Sequence, residues 1–180
     1  MKKLIFTGPE CSGKTKISKE ISEIFNFPYV EEYARKYLNR NNFDYSFDDL
    51  KKIAEGQIRI EKLKKIKKNE FLICDTNLQV IKLWSLIKYK KCDSFILKNQ
   101  DYNSMYFLCK PDFEWEFDIL RENPLDRDEI FNIYLNDLKK NNMKYVILEG
   151  SHKKRLKYVI NLINDCLLYT SDAADDSYRV

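Results

Sequence analysis

One stretch near the start of the chain has the residue types and the spacing of a phosphate-binding loop. It consists of Gly8, Pro9, Glu10, Cys11, Ser12, Gly13, Lys14 and Thr15. The two glycines let the backbone close around an anion, so that successive N–H groups point at a phosphate. Lys14 can then reach the β- and γ-phosphates of a nucleoside triphosphate, and the Thr15 hydroxyl can ligate Mg²⁺. The stretch therefore predicts a site for a nucleotide and its metal ion.

The segments on either side of this loop have the pattern that such a site needs. Residues 3–7 are mostly apolar and predict a buried strand, whereas residues 14–25 predict a helix with one apolar stripe. The stripe consists of Ile17, Ile21, Ile24 and Phe25. The positive end of this helix would face the phosphate. Strand, loop and helix in this order distinguish a phosphate-binding loop from a chance turn that contains glycine.

Carboxylates follow two further apolar runs. Residues 71–75 predict a strand that ends in Asp75, the form of a Walker-B segment, although an Asp that caps the following helix would have the same pattern. Residues 27–30 predict another strand, which is followed by Glu31 and Glu32. Ligands bind at the carboxyl edge of an open α/β sheet. These three acids are therefore the candidates for the base that accepts a proton from an acceptor hydroxyl, and Asp75 is also a candidate metal ligand.

Apolar runs alternate with amphipathic segments along the rest of the chain. Two more strands are predicted over residues 106–109 and 145–148, and helices are predicted from Ser46, over 78–89, from Asp128 and over 152–165. A chain that alternates in this way folds as a parallel sheet covered on both faces. The predicted fold class is α/β, a P-loop NTPase three-layer α/β/α sandwich with a mostly parallel five-stranded sheet.

Composition limits the class of protein further. The net charge of +4 over 180 residues comes from lysines spread along the chain, whereas a nucleic-acid-binding protein would concentrate its basic residues. No apolar run approaches the length of a membrane span, and the five cysteines lack zinc-ligand spacing. We expect a cytoplasmic protein that acts on a small molecule, with neither nucleic acid nor a membrane as partner. No feature indicates whether it forms oligomers.

The end of the chain differs from the body. Residues 166–180 are small, acidic and aperiodic, and they resemble a translated sequencing adaptor, a kind of fusion scar that is excluded from functional reasoning. A genuine disordered tail is the alternative. On either interpretation residues 1–165 form the single functional domain, which is a P-loop domain like that of nucleoside kinases.

The class of phosphate-loop protein depends on the remaining motifs. The Asn-Lys-x-Asp motif of GTPases is missing from the sequence, and a motor or AAA-type ATPase would normally need more chain. A small-molecule kinase fits better, with an acceptor site at the carboxyl edge of the second strand. Arg121 and Arg127 follow the fourth strand, where a closing lid would bring positive charge to the transferring phosphoryl group.

Several motifs taken together resemble the ribosylnicotinamide kinase domain of NadR-type proteins. Besides the phosphate-binding loop, they are the segments 32–37 (EYARKY), 74–77 (CDTN), 81–85 (IKLWS) and 120–127 (LRENPLDR). The resemblance extends over residues 2–163, which is nearly the whole domain. It implies transfer of a phosphoryl group from ATP·Mg²⁺ to the 5′-hydroxyl of nicotinamide riboside.

The resemblance also suggests roles for individual residues. The predicted catalytic residues are Lys14, Glu32, Asp75, Arg121 and Arg127, with Glu32 the best match to the base. The predicted contacts to the nucleoside are Glu31, Tyr33, Arg35, Asn77, Trp84 and Trp115. Aromatic faces can stack on a cationic pyridinium ring. Trp84 fits a place in the core as well, and Arg35 fits an ion pair with Glu32.

Two features depart from the family pattern. NadR-type proteins typically carry an adenylyltransferase domain with a histidine motif before the kinase, whereas His152 is the only histidine here, so adenylyl transfer is not expected. Many members read Asp-Thr-Asp where this chain has Asn77 in the third place. A kinase for another nucleoside, or a regulatory ATPase that senses nucleotide, remains the alternative function.

Overall fold

A sheet of five parallel strands forms the centre of the computed structural model, which describes residues 3–64, 70–117 and 125–175. The strands are β1 (Lys3–Thr7), β2 (Tyr29–Val30), β3 (Leu72–Asp75), β4 (Met105–Cys109) and β5 (Lys144–Leu148). They lie in the order β2-β3-β1-β4-β5, with every neighbouring pair parallel. The predicted fold class is confirmed.

Seven helices connect and cover these strands within the described residues. They are α1 (Lys14–Phe25), α2 (Tyr33–Arg40), α3 (Phe47–Lys62), α4 (Leu78–Tyr89), α5 (Ser94–Lys98), α6 (Arg127–Lys140) and α7 (His152–Asp175). The predicted helix over 78–89 is confirmed, and Ser46 caps α3 as expected, in a capping box with Asp49. Helix α2 was not predicted, because its Tyr- and Arg-rich sequence has little apolar periodicity. Helix α7 continues beyond residue 165, and the foreign origin of the tail stays a prediction.

The strands bury both faces because successive side chains point to opposite sides of the sheet. Phe6 and Phe107 stack at 4.9 Å between ring centroids on one face, where they pack with Ile17 and Ile21 of α1 and Val159 of α7. Each large apolar side chain buried in this way contributes about 1.5–3 kcal/mol relative to exposure. Helix α1 is thereby held against the strand that precedes the phosphate-binding loop.

The opposite face of the sheet packs against α4 and α6. Ile5 and Tyr106 are fully buried there against Leu83, Tyr134 and Leu138. A smaller apolar cluster joins α2, α3, α4 and α5 beside the sheet. The members of that cluster are Ala34, Leu50, Ile53, Ala54, Leu78, Ile81 and Ile96. The strand before the phosphate-binding loop, β1, and the helix after it, α1, are therefore both packed into the hydrophobic core.

Two predicted apolar stripes are displaced in the structure. Ile24 is 50% exposed, because the buried side of α1 is centred on Ile17, Ser18 and Ile21. In α6 the apolar pattern of Ile130, Ile133, Tyr134 and Leu138 predicts that Ile133 faces inward, but Ile133 is 39% exposed and Phe131 is buried. Ile133 lies about 100° around the axis from the buried Tyr134, which takes it off the packed side, and Ile24 stands in the last turn of α1, beyond its buried residues. Periodicity identified the helices but not the centre of the buried face.

The contact between α2 and α3 generates a testable prediction. Gly56 lies inside α3, and a Cβ atom there would overlap the ring of Tyr33. Helix propensity alone would make Gly56→Ala stabilising by about 1 kcal/mol, whereas overpacking costs about 1–3 kcal/mol. We expect the variant to be destabilised in urea denaturation, because the ring must move.

A double-mutant cycle separates the two effects. In a Tyr33→Ala background the ring is gone, so adding Gly56→Ala should stabilise the protein by about 1 kcal/mol. Destabilisation by the same amount in both backgrounds would contradict the proposed contact.

Candidate active site

The phosphate-binding loop joins β1 to α1 and passes very close to β4. Gly8 has φ 130°, and a Cβ atom there would lie 2.6 Å from the carbonyl oxygen of Cys109, so only glycine fits. Gly13 has φ 80° and caps α1 without a side-chain hydrogen bond from any described residue. The first N–H groups of α1 are therefore available to an anion, as a phosphate site requires.

The carbonyl of Pro9 organises the inside of the loop. It accepts a hydrogen bond from the Lys14 ammonium at 2.6 Å and another from the Ser12 hydroxyl at 2.7 Å. Lys14 is thereby folded back along the loop, with its charge at the place where phosphate would bind. A bound phosphate could replace the Pro9 carbonyl as the hydrogen-bond partner of the Lys14 ammonium without a change in the backbone.

Asp75 ends β3 directly beside β1. It is 3% exposed, its Oδ2 atom accepts a hydrogen bond from the Tyr29 hydroxyl at 3.4 Å, and its Oδ1 atom has no partner among the described residues. Burial raises the pKa of Asp75, whereas a hydrogen bond from Thr15 and the charge of Lys14 oppose the shift. The cap of α4 is Asn77, so the alternative that Asp75 is a helix cap is wrong.

A carboxylate and a hydroxyl at this point fit a magnesium ion. Mg²⁺ binds hard oxygen ligands and usually keeps several waters, so it needs only one or two protein groups besides the phosphates. The unpaired, buried oxygen of Asp75 next to Thr15 is such a group. We therefore consider these two residues able to hold the metal of a bound nucleotide.

Asn77 has a structural role in place of the predicted contact to substrate. It is 3% exposed, its Oδ1 atom accepts from the N–H of Gln79 at 3.0 Å, and its Nδ2 atom donates to the Tyr106 hydroxyl at 2.9 Å. Because Tyr106 donates its own proton to the carbonyl of Asp101 at 2.6 Å, it needs a donor at position 77. An ionised Asp has no proton to donate, so it could not replace Asn77 in this hydrogen bond.

Glu32 faces the phosphate-binding loop from the carboxyl end of β2. Burial raises its pKa to about 7, the Asp75 carboxylate adds to the shift, and the charges of Lys14 and Arg35 oppose it. A carboxyl group with a pKa near neutrality is suited to take up a proton and release it again. Glu31, the other candidate at this strand end, is exposed.

A cleft of about 650 Å³ lies between the loop and these residues, a volume typical of small-molecule sites. Besides the loop, its lining includes Glu32 and Arg35. Its apolar wall consists of Ala34, Leu38, Val80, Trp84, Ile87 and Ile130. Among the described residues, the lining does not include Asp75, Glu31, Tyr33, Asn77, Trp115 or Arg127. The structure thus brings together only some of the predicted site residues.

Trp84 of α4 is one of the residues that line this cleft. The ring centroid of Trp84 is 4.5 Å from that of Tyr45. The Lys88 Nζ atom lies 3.9 Å from the Tyr45 ring centroid. Trp84 is partly buried against the cluster beside the sheet and also lines the cleft. The two interpretations of this residue, core and ligand contact, are therefore compatible.

The segment after β4 lies on top of the phosphate-binding loop. Arg127 donates to the carbonyl of Phe113 at 2.7 Å, and its guanidinium lies 5.8 Å from the Trp115 ring centroid. Cys11 exchanges hydrogen bonds with the backbone of Glu116, at 3.4 and 3.5 Å. In this arrangement Trp115 contacts Arg127 rather than the cleft. Arg121, the other predicted lid residue, lies outside the described residues.

Sequence reasoning missed several residues of the cleft, among them Phe113, His152 and Tyr134. Phe113 packs against Gly13, His152 contacts Glu20 at 2.6 Å, and Tyr134 belongs both to the core and to the lining. Burial raises the pKa of Tyr134, with the charge of Glu32 adding to the shift, so its hydroxyl stays a proton donor. Tyr134 was predicted only as a core residue, and no local pattern marks any of the three.

The chain belongs to the AAA_28 family of AAA domains, whose sequence profile matches residues 3–155. The sequence analysis disfavoured an AAA-type motor because of the chain length, and membership of this family establishes a P-loop domain without specifying its reaction. None of the curated proteins matches the sequence significantly. No helix within the described ranges combines the length and the apolar character needed to cross a membrane.

Solved structures share the fold at low sequence identity. The NadR protein in complex with NR has a TM-score of 0.70 and 17% identity, covering 91% of this chain and 51% of that chain. The chain thus spans about half the length of the NadR chain. Deoxyadenosine kinase from M. mycoides follows at 0.65, with 14% identity and 91% and 99% of the two chains covered. Shikimate kinase from Aquifex aeolicus vf5 gives 0.53, with 14% identity and 92% and 98% covered. The fold likeness to NadR agrees with the resemblance found in the motifs.

The shifted pKa of Glu32 predicts a pH-dependent stability. A carboxyl whose pKa rises from 4.5 to about 7 on folding lowers the free energy of unfolding as the pH increases through that interval. Glu32→Gln removes the buried charge. We therefore expect the variant to have a higher Tm than the wild type at about pH 8 and a similar Tm at about pH 4.5.

The matched control is Glu31→Gln, which changes the exposed neighbour in the same way. Its Tm should follow that of the wild type at both pH values. A Glu32→Gln variant whose Tm difference does not change between the two pH values would contradict the assignment.

Proposed function

We propose that this member of the AAA_28 family is an ATP-dependent phosphotransferase with an alcohol group as acceptor, and that it phosphorylates nicotinamide riboside to nicotinamide mononucleotide. The observation that carries the proposal is the position of Glu32. This carboxyl has a pKa of about 7 and lines the same cleft as Lys14 and the phosphate-binding loop. A carboxylate at this place can take the proton of an acceptor hydroxyl, and the adjoining cleft of about 650 Å³ has room for an acceptor much larger than water.

The donor half of the reaction is assigned to the loop and to the strand beside it. The loop amides and the start of α1 would hold the β-phosphate, and Lys14 would leave the Pro9 carbonyl to bind the β- and γ-phosphates. Thr15 and Asp75 would hold Mg²⁺, which neutralises charge on the phosphates when it is bound. These are the proposed cofactors, ATP and Mg²⁺.

The acceptor half is assigned to Glu32 and its neighbours. In its ionised form Glu32 would accept the proton of the acceptor hydroxyl as the phosphoryl group is transferred, and its raised pKa makes it a stronger base than an ordinary carboxylate. Tyr134 would donate a hydrogen bond on the same side. Arg121 and Arg127 would supply positive charge from the segment after β4.

Nicotinamide riboside is supported by two kinds of likeness. The motifs of the chain resemble those of the ribosylnicotinamide kinase domain, and a NadR protein in complex with NR has a similar fold. In the cleft, the indole of Trp84 offers an aromatic face, and Glu10 and Glu32 offer negative charge, both of which suit a cationic pyridinium ring. The similar deoxyadenosine kinase makes another nucleoside the main rival. We further propose that the enzyme acts in the cytoplasm, through residues 1–165.

The assay for this proposal uses the purified full chain with ATP and Mg²⁺. ADP release should depend on nicotinamide riboside and should exceed the release with deoxyadenosine, other nucleosides or shikimate. The rate should fall below about pH 7, because protonation of Glu32 removes the base. If a different nucleoside stimulates ADP release, that nucleoside is the acceptor in place of nicotinamide riboside. If no acceptor stimulates ADP release, a nucleotide-sensing module is favoured.

Two variants distinguish the halves of the site. Lys14→Ala should lower kcat by about two to three orders of magnitude, as expected when a positive charge on the transferring group is lost. Glu32→Gln should keep ATP affinity and lower kcat by about 10²–10⁴-fold. Glu31→Gln, at the exposed neighbouring position, should have nearly wild-type activity.

A further inference from the structure

The guanidinium of Arg155 joins the phosphate-binding loop to two other segments of the chain. Arg155 lies in the first turns of α7 and is 2% exposed. It donates to the carbonyl of Ser12 at 2.8 Å, to that of Lys110 at 2.9 Å and to that of Gly150 at 3.0 Å. These carbonyls belong to the phosphate-binding loop and to the segments that follow β4 and β5. One side chain therefore sets the relative positions of all three segments.

The buried charge of Arg155 is compensated on the same side. Its Nη2 atom lies 2.9 Å from the Oδ2 atom of Asp112, which also accepts the N–H of Gly150. The guanidinium lies 4.6 Å from the ring centroid of Phe113, and the edge of that ring faces Gly13 of the loop. A planar fork with several donors is needed to satisfy so many acceptors at once, and among the side chains only arginine supplies it.

The contact with Ser12 determines the direction of the next N–H group. The carbonyl of Ser12 and the N–H of Gly13 belong to one planar trans peptide, in which the two groups point in opposite directions. Ser12 and Gly13 line the cleft, whereas Arg155 is not among its described lining residues. When Arg155 holds the oxygen of Ser12 away from the cleft, the N–H of Gly13 is turned toward it.

We infer that Arg155 is a positioning residue of the phosphate site, which fixes the Ser12–Gly13 peptide so that its N–H group points at a bound phosphate. The residue acts through the backbone and does not touch the nucleotide. The inference rests on the proposed function only in taking a nucleotide phosphate as the ligand of the loop. The inference assigns a role to the buried guanidinium of Arg155, which is not among the described residues that line the cleft.

The test measures the binding of two ligands by Arg155→Met and Arg155→Lys variants of the full chain. Calorimetry with ATP·Mg²⁺ and with inorganic tripolyphosphate should show about tenfold weaker binding of both ligands by Arg155→Met, the loss of one charge-assisted hydrogen bond. Arg155→Lys keeps the charge but cannot span the three carbonyls, so it should also bind both more weakly. In turnover assays KM for ATP should rise and KM for the acceptor should not.

Lys82→Met provides a control for general loss of stability. Lys82 is 5% exposed and forms a buried ion pair with Asp137 at 2.7 Å, and no described hydrogen bond or ion pair joins Lys82 directly to the loop. Its loss should lower the Tm and leave the affinity for ATP and tripolyphosphate unchanged. If Arg155→Met does not fold, Arg155→Lys is compared with this control instead.

The outcomes separate this inference from the proposed function. Folded Arg155 variants that bind both ligands as the wild type does would overturn the positioning role, and so would an equal loss of affinity in Lys82→Met. A wild type that binds ATP but transfers phosphate to no acceptor would overturn the kinase proposal alone, and the role of Arg155 would still be read from binding. A wild type that binds neither ligand would overturn both.

Discussion

The parallel register of β1, β2 and β3 is the constraint on which the site depends. Phe6 pairs with Asp75 and Val30 pairs with Cys74, so β1, β2 and β3 end at the same level. A parallel sheet brings the carboxyl ends of its strands to one edge. The phosphate-binding loop, Glu32 and Asp75 meet there although they are far apart in sequence. A register shift of one residue would turn each of these side chains to the other face of the sheet.

Poor solvation gives the two carboxylates at this edge raised pKa values. Asp75 is 3% exposed and Glu32 is partly exposed, and desolvation is the main cause of each shift, with Lys14 opposing it in both. A lysine in the phosphate-binding loop beside two acids with raised pKa values is an arrangement common at catalytic sites. The same burial that makes the acids useful also reduces the stability of the fold, as is common at functional sites.

Close contacts behind the loop hold its backbone in place. Gly8 leaves no space for a side chain against β4, and Gly13 receives the ring of Phe113. Arg155 ties the carbonyl of Ser12 to the segments after β4 and β5. Arg155 orders the loop from outside the described lining of the cleft, whereas Phe113, which lines the cleft, contacts the loop at Gly13. A phosphate-binding loop that is already ordered loses little conformational entropy when a ligand binds.

Local sequence patterns decided most of the fold and the donor half of the site. The loop from Gly8 to Thr15 and the apolar run that ends in Asp75 carry signals that depend on near neighbours only, so they were predictable. The physical basis for the choice between the two acids came from the tertiary structure, since the local pattern places both Glu31 and Glu32 at the end of β2, only the family resemblance favoured Glu32, and only Glu32 lines the cleft. The tertiary structure also decided that Asn77 donates a hydrogen bond to Tyr106, and that Arg155 donates one to the carbonyl of Ser12, 143 residues away. Contacts between distant residues arise from packing, and no periodicity along the chain encodes them.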